Sequence, residues 1–219
     1  WAADATNVVA RRVQYGFTLQ NIRSDLVPLA ELWVYGPAAR TSSQICCQIR
    51  SSHPYTLITD ALGNQVLHFA FSNLPPYSVK IVTIEADVDL ITPTSAATVT
   101  SESDLGAYLK PEPFVEIENP EYLHLVPSLG GMNAVDKAEA IFHWVTRNVK
   151  DDGYSAKDRG ALYALREKKG DCTEFMYLFV ALCRHAQIPA RALGGYVCPK
   201  DTIVKPADYH NWAEFYDGH

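Results

Sequence analysis

The sequence predicts an α+β protein, in which an N-terminal β-sandwich precedes a domain of helices packed on an antiparallel sheet. Apolar and polar residues alternate with period two through most of the first half, whereas helical periodicity begins only at residue 133. A stretch rich in Ser, Thr and Pro separates the two patterns. The chain of 219 residues is long enough for two such domains.

The β-rich half is predicted from a series of short strand-like runs. In "RRVQYGFTLQNI" apolar side chains recur at every second position from Val13 to Leu19, which is typical of a strand with one buried face. The later runs are "ELWVYGP", "QICCQIRSS", "YTLITD", "QVLHFAFSNL" and "YSVKIVTIEADVDL", with the turn "DALGN" between two of them. We expect the isolated His53 and His68 to be structural.

A connector is predicted over residues 92–121, because "TPTSAATVTSESD" and "KPEPFVEIENPEY" are rich in Ser, Thr and Pro. We place the domain boundary near residue 100. The predicted domains are therefore 1–100, the β-sandwich, and 101–219, a helical core.

The second half contains three predicted helices. "NAVDKAEAIFHWVTRNV" begins at the N-cap Asn133, and its apolar positions share one face. These positions are Ala138, Ile141, Phe142, Val145 and Val149. "GALYALREKKG" predicts a short helix with Gly170 as its C-terminal cap. Asp171 is the predicted N-cap of the third helix, "CTEFMYLFVALCRHAQ", which is apolar on nearly every face and should be buried.

Cys172 lies in the first turn of the third predicted helix, where it is either a nucleophile or a small apolar residue at the core's edge. Free N–H groups and the positive end of the helix dipole stabilise an anion, which lowers the pKa of a thiol at such a place. The same N–H groups can receive the oxyanion of a tetrahedral intermediate. Cys183, further along the same helix, is predicted to be an unreactive core residue.

A nucleophilic thiolate needs a base, and His210 fits this role better than His185. His185 follows Cys172 by 13 residues on the same helix, about 20 Å away at ~1.5 Å per residue. His210 opens the strand-like "HNWAEFY", and "IPARALGGYVC" supplies a preceding strand. Antiparallel pairing of these two strands would carry His210 toward the helix tip.

Taken together, these segments resemble the transglutaminase-like superfamily, whose core is a papain-like fold. Its members have a G-D-C motif that opens a helix, a G/Q-I-P-A-R turn and an H-x-W-x-E strand. Here the corresponding segments are "GDCTEF", "QIPAR" and "HNWAEF", in that order, and "AEAIFHWVTRNVKDDG" resembles the preceding helix. The resemblance covers roughly residues 120–217, and the first half is similar to the β-rich N-terminal region of some bacterial members.

The resemblance implies that Cys172 is the catalytic nucleophile and His210 its general base. The chemistry would be acyl transfer or hydrolysis at a carboxamide or peptide bond of a protein or peptide, through a thioester. The family's third residue is an aspartate on a following strand. Neither Asp208 nor Asp217 fits that place, so we expect a missing segment or a second chain to supply it. The alternative is a non-catalytic binding or scaffold module with a degenerate core.

Composition argues against several other classes of function. A formal net charge of −6 gives no basic surface for nucleic acid. The longest apolar run, "MYLFVALC", is far shorter than the ~20 residues of a membrane span. The five cysteines form no CxxC pair, which disfavours a zinc ribbon and a thiol redox protein. The sequence has no calcium-loop pattern, and we predict no metal or cofactor.

The cellular compartment stays open, with the periplasm or secretion favoured over the cytoplasm. Since the chain starts without Met, we expect a processed or excised piece.

Overall fold

The computed structural model describes residues 8–41, 43–60, 62–91, 105–125 and 129–218. The strands are β1 (Val8–Gln20), β2 (Val27–Tyr35), β3 (Gln44–Ser51), β4 (Thr56–Thr59), β5 (Gln65–Leu74), β6 (Val79–Ile91), β7 (Lys150–Asp151), β8 (Lys169–Gly170), β9 (Ala190–Tyr196), β10 (Thr202–Ile203) and β11 (Tyr209–Phe215). The α-helices are α1 (Ala134–Asn148), α2 (Ala161–Glu167) and α3 (Cys172–His185). The predicted α+β class is therefore confirmed.

The chain divides into two compact units. The first comprises Trp1–Ala97 and Tyr196–Asp208, and the second comprises Thr98–Gly195 and Tyr209–His219. The predicted boundary near residue 100 and the first part of the predicted connector fall in residues 92–104, which lie outside the described residues. The boundary stays a prediction.

Two sheets enclose the core of the first unit. One has the order β10-β1-β6-β3 and the other the order β2-β5-β4. Each sheet contributes the buried side chains of its alternating strands, so the period-two pattern of the sequence corresponds to one inward face. The core residues are Val13, Tyr15, Val82, Ile84 and Ala86 from the first sheet and Val34, Leu67 and Phe69 from the second.

The two histidines of the first unit make structural contacts. His68 lies 2.7 Å from Oε1 of Glu31 and stacks on the ring of Trp33, with 3.8 Å between centroids. His53 packs edge-on against Phe71.

Segment Tyr196–Asp208 belongs to the first unit, which the sequence did not predict. Its strand β10 pairs in parallel with β1 at Val13 and Gln14. The backbone N–H of Arg12 donates to Asp201 Oδ1 at 3.0 Å, and Val204 is buried in the core of this unit.

The helix α1 is capped as the sequence predicts, but its buried face is narrower. The side chain of Asn133 accepts from the backbone N–H of Asp136 at 2.9 Å. Ile141 and Val145 are buried, whereas Phe142 is 54% exposed. The expectation that Phe142 joins the core is wrong, because one residue's step turns a helix by about 100° and places this ring at the edge of the stripe.

The helix α2 does not end on Gly170 as predicted. Its C-cap is Lys168, which takes the left-handed conformation with φ 55°. Residues Lys169–Gly170 then form β8, which pairs in parallel with β7. The Lys168 ammonium lies 4.3 Å from the ring centre of Trp144, so a cation–π contact accompanies this turn.

The last two strands of the second unit, β9 and β11, pair in a two-stranded sheet, as predicted. On α3, Leu178, Val180 and Leu182 are buried, which agrees with the apolar character of this helix. The sheet and α3 together place the start of β11 near the first turn of α3.

Candidate active site

The first turn of α3 is fixed by two carboxylates. Asp171 caps the helix, and its Oδ1 accepts from the backbone N–H of Thr173 at 2.9 Å. Glu174 completes a capping box, because its Oε2 accepts from the backbone N–H of Asp171 at 3.2 Å. The helix therefore begins at Cys172, where the sequence predicts it.

Glu174 is buried and paired with an arginine from the loop before α2. Its side chain is 1% exposed. Its Oε2 lies 2.6 Å from Nη2 of Arg159, and its Oε1 accepts from the Arg159 backbone N–H at 2.9 Å. Arg159 also pairs with Asp152 at 3.0 Å. The hydrogen bond to Asp152 is the largest contribution that raises the pKa of the Arg159 guanidinium, and the hydrogen bond to Glu174 is the second. The charged guanidinium therefore holds the loop against the tip of α3 through its ion pair with Glu174.

Asp171 holds the same loop through its second oxygen. Oδ2 accepts from the backbone N–H of Ser155 at 2.8 Å. Burial by itself would raise the pKa of Asp171, but the hydrogen bonds from Ser155 and Thr173 outweigh it, and the pKa is lowered. Asp171 is a charged carboxylate that caps α3, and its role as the N-cap was predicted from the sequence.

Gly170 allows the chain to pass directly against Glu174. A Cβ on Gly170 would lie 2.4 Å from the Cβ of Glu174, which real contacts do not reach. In "GDCTE" the glycine thus permits a close approach, the aspartate caps the helix, and the glutamate anchors the loop that contains Arg159.

Cys172 lines a cavity of about 760 Å³ formed by α1, α3 and β11. The α3 wall has the helical spacing i, i+3, i+4, i+7 and consists of Cys172, Phe175, Met176 and Phe179. Facing it are apolar side chains of α1, including the exposed Phe142. The cavity is therefore a mostly apolar space with a half-buried thiol on its wall.

The side chain of Asn211 on β11 lies close to the thiol of Cys172. Its Nδ2 lies 3.8 Å from Sγ of Cys172 and 2.9 Å from Oγ1 of Thr173. Asn211 also lines the cavity. The strand β11 thus presents an amide, rather than an apolar side chain, to the tip of α3.

His210 lies beside Asn211 and lines the same cavity as Cys172. Because strand residues alternate, His210 and Asn211 lie on opposite faces of β11. The Asn211 face packs on α3, where the rings of Phe215 and Phe179 are 6.4 Å apart. Within the part of the chain that the structure describes, no hydrogen bond is recorded between the imidazole of His210 and Cys172. The role of His210 as the base stays a prediction.

The other candidates from the sequence lie elsewhere. Cys183 is fully buried, and burial raises its pKa to about 12. His185 shares a hydrogen bond with the backbone oxygen of Ile117 at 2.8 Å. Asp208 belongs to the first unit, where its Oδ2 accepts from the Lys205 backbone N–H. All five cysteines are free thiols.

Three residues around the thiol were missed from the sequence. Glu174 stands three positions after Asp171, which is a capping-box signal that could have found it. The alternation along β11 places Asn211 opposite His210, but only the packing on α3 turns that face to the thiol. Arg159 has no local signal, because its partner Glu174 is 15 residues away.

Comparison with known families agrees with the order of motifs. Residues 124–219 match the family model described as the transglutaminase-like superfamily, and this range contains both Cys172 and His210. This part of the chain is therefore similar to the transglutaminase-like superfamily. The matched region includes α1, α2, α3, β9 and β11, and of these α1, α3 and β11 line the cavity that contains Cys172.

A crystal structure supports the assignment of the fold. A candidate cysteine protease from Cytophaga hutchinsonii superposes with a TM-score of 0.72 over 99% of this chain and 74% of its own, at 21% identity. The transglutaminase-like fold predicted from the sequence is therefore confirmed. The periplasmic domain of TgpA from Pseudomonas aeruginosa has a TM-score of only 0.43, at 14% identity over 87% of this chain and 66% of its own.

A relative from Haemophilus influenzae, an uncharacterised protein, is 34% identical over 97 residues. The matched residues make up 42% of this chain and 26% of the relative. The chain thus spans about a quarter of the length of that protein.

The described residues contain no helix long and apolar enough to cross a membrane. Among the same residues, no group of three or more His, Cys, Asp or Glu side chains could hold a metal ion.

Proposed function

We propose that this protein is a cysteine-nucleophile enzyme that transfers or hydrolyses an acyl group at a carboxamide or peptide bond. The observation that carries the proposal is the position of Cys172, in the first turn of α3 and on the wall of a cavity that His210 also lines. The first turn of a helix presents free backbone N–H groups, which can receive a negative charge that develops there.

The reaction proceeds in two steps. The Cys172 thiolate forms a C–S bond to the carbonyl carbon, and the π electrons move to the oxygen. The tetrahedral intermediate then expels the amine, which takes a proton from the protonated imidazole of His210, and a thioester remains. Water or a second amine, deprotonated by His210, attacks the thioester. The C–S bond breaks, and the thiolate is released together with an acid or a new amide.

The cavity favours a protein or peptide substrate with an apolar side chain beside the scissile bond. Phe175, Met176 and Phe179 present a continuous apolar wall that begins next to Cys172. Such a wall binds an apolar side chain by removing its surface from water, at roughly 25 cal/mol per Å² of buried area. Transfer to an amine and hydrolysis differ in whether water or an amine reaches the thioester.

The test traps the thioester with an activated ester. Incubation with p-nitrophenyl acetate is expected to acetylate Cys172, detected by peptide mass spectrometry and abolished in Cys172→Ala. His210→Ala should slow acetylation by about 10²- to 10⁴-fold. His143→Ala is the matched control, because its imidazole is exposed on α1, and it should retain the wild-type rate.

Casein cleavage and incorporation of a fluorescent amine then distinguish hydrolysis from transfer. If Cys172 is no more acetylated than the exposed Cys47, and His210→Ala changes nothing, the enzyme proposal is wrong. That result would favour the non-catalytic binding or scaffold module.

A further inference from the structure

The side chain of Asn211 occupies the space between the β9–β11 sheet and the tip of α3. We propose that Asn211 is a further catalytic residue, whose Nδ2–H donates a hydrogen bond to the thiolate of Cys172. The inference rests on the proposed role of Cys172 as nucleophile. It is carried by the two contacts of Nδ2, 2.9 Å to Thr173 Oγ1 and 3.8 Å to Cys172 Sγ.

The orientation of the amide follows from its neighbours. A primary amide has two N–H groups, and Thr173 Oγ1 accepts one of them, which leaves the other for the sulfur. At the opposite end, Oδ1 of Asn211 lies toward β9, where a Cβ on Gly194 would be 3.2 Å from it. The side chain is thus enclosed between a glycine of the neighbouring strand and the first turn of α3.

Charged and titratable side chains line the cavity beside Cys172 and Asn211. Three carboxylate side chains, those of Asp171, Asp151 and Glu139, line the same cavity as Cys172. From β11, His210 lines the cavity, and Tyr209 interacts with Cys172 electrostatically. An amide N–H stabilises an anion by hydrogen bonding and adds no charge of its own, so Asn211 is a neutral donor in a cavity lined by carboxylates.

The mechanism also explains the alternation on β11. The face that contacts α3 carries Asn211 at the thiol, and the next residues on that face, Ala213 and Phe215, pack against the apolar core. His210 lies on the other face, where it can reach a substrate in the cavity without competing for this contact. The two neighbours therefore have separate roles: the amide stabilises the anion and the imidazole moves protons.

The experiment measures the alkylation rate of Cys172 by iodoacetamide against pH in the full chain, with peptide mass spectrometry. Asn211→Asp keeps the shape but replaces the donor with an anionic acceptor. We expect the pH midpoint to rise by about one unit and the rate at pH 7 to fall about tenfold. Asn211→Ala, which removes the donor without adding charge, should lower the rate about threefold.

Matched controls separate this role from a structural one. Asn148→Asp introduces the same charge change at an exposed amide that donates to the backbone oxygen of Trp144, and it should leave the midpoint unchanged. Thr173→Val removes the acceptor that orients the amide, and it should raise the midpoint by less than Asn211→Asp does. Cys47, exposed on β3, is the internal reference thiol in every sample.

The outcomes distinguish the two proposals. If Asn211→Asp, Asn211→Ala and Thr173→Val all retain the wild-type midpoint, the donor role of Asn211 is refuted, whatever His210→Ala does. If Cys172 is no more acetylated than Cys47 and His210→Ala changes nothing, while Asn211→Asp shifts the midpoint, the enzyme proposal fails and the hydrogen bond to the thiolate stands.

Discussion

Replacing Glu174 by Gln is expected to destabilise the tip of α3 strongly. The substitution preserves the shape of the side chain but removes its charge, and it places an N–H₂ group between donors of Arg159 and Asp171. The charge-assisted bond to Arg159 contributes roughly 1.5–3 kcal/mol. The reciprocal bond of the capping box adds about 1 kcal/mol. Because Arg159 keeps its pairing with Asp152, the loss stays below the full cost of an isolated buried charge, and we expect about 3 kcal/mol.

The assay is urea unfolding at pH 7, followed by far-UV circular dichroism. Glu121→Gln is the matched control, since Glu121 pairs with Arg166 at 2.7 Å, close to the 2.6 Å of the Glu174 pair, but its side chain is 44% exposed rather than 1%. An exposed pair contributes at most about 1 kcal/mol. Equal losses in the two variants would refute the reasoning, because burial would then make no difference to the strength of the pair.

Three other predictions concern the same region and the free thiols. Gly170→Ala should destabilise the protein by about 1–3 kcal/mol in urea unfolding, because the added Cβ meets Glu174, and an unchanged midpoint would contradict the 2.4 Å approach. Asp171→Asn should reduce stability at pH 7, and the difference from wild type should shrink as the pH falls below about 4. The lowered pKa of Asp171 means that its contribution is present above the unfolded-state pKa and is lost as the pH falls through the folded-state value; a pH-independent difference would count against this assignment. With Ellman's reagent at pH 8, Cys47 should react in the native protein and Cys183 only after unfolding, and rapid native labelling of Cys183 would show that the core opens readily.

The parts of the site that could be predicted are those with local signals. Asp171 and Cys172 follow from a capping pattern that lies within four residues, and α3 follows from its apolar composition. The predicted alternation of exposed and partly buried residues along "HNWAEF" is also confirmed, because it depends only on neighbouring residues.

The parts that could not be predicted depend on contacts between distant residues. Gly170 was interpreted as a helix cap, but its requirement comes from Glu174, which approaches it only after α3 has formed. Phe142 satisfied the helical spacing, and only the width of the packed interface excludes it from the core. For Asn211, the sequence gives its face on the strand but not the element that this face meets.

The return of Tyr196–Asp208 to the first unit has a consequence for the order of folding. The contact between Arg12 and Asp201 joins residues 189 positions apart, so the first unit cannot complete its larger sheet until residue 203 has been synthesised. A nascent chain that has reached only residue 195 leaves β1 without the partner strand β10. Closing so long a loop is slow and entropically costly, whereas the three helices of the second unit all precede β10 and can form before it. Hydrogen exchange on ribosome-bound chains of increasing length would show protection in α1 and α3 before the β10-facing edge of β1, and the reverse order would exclude this sequence of events.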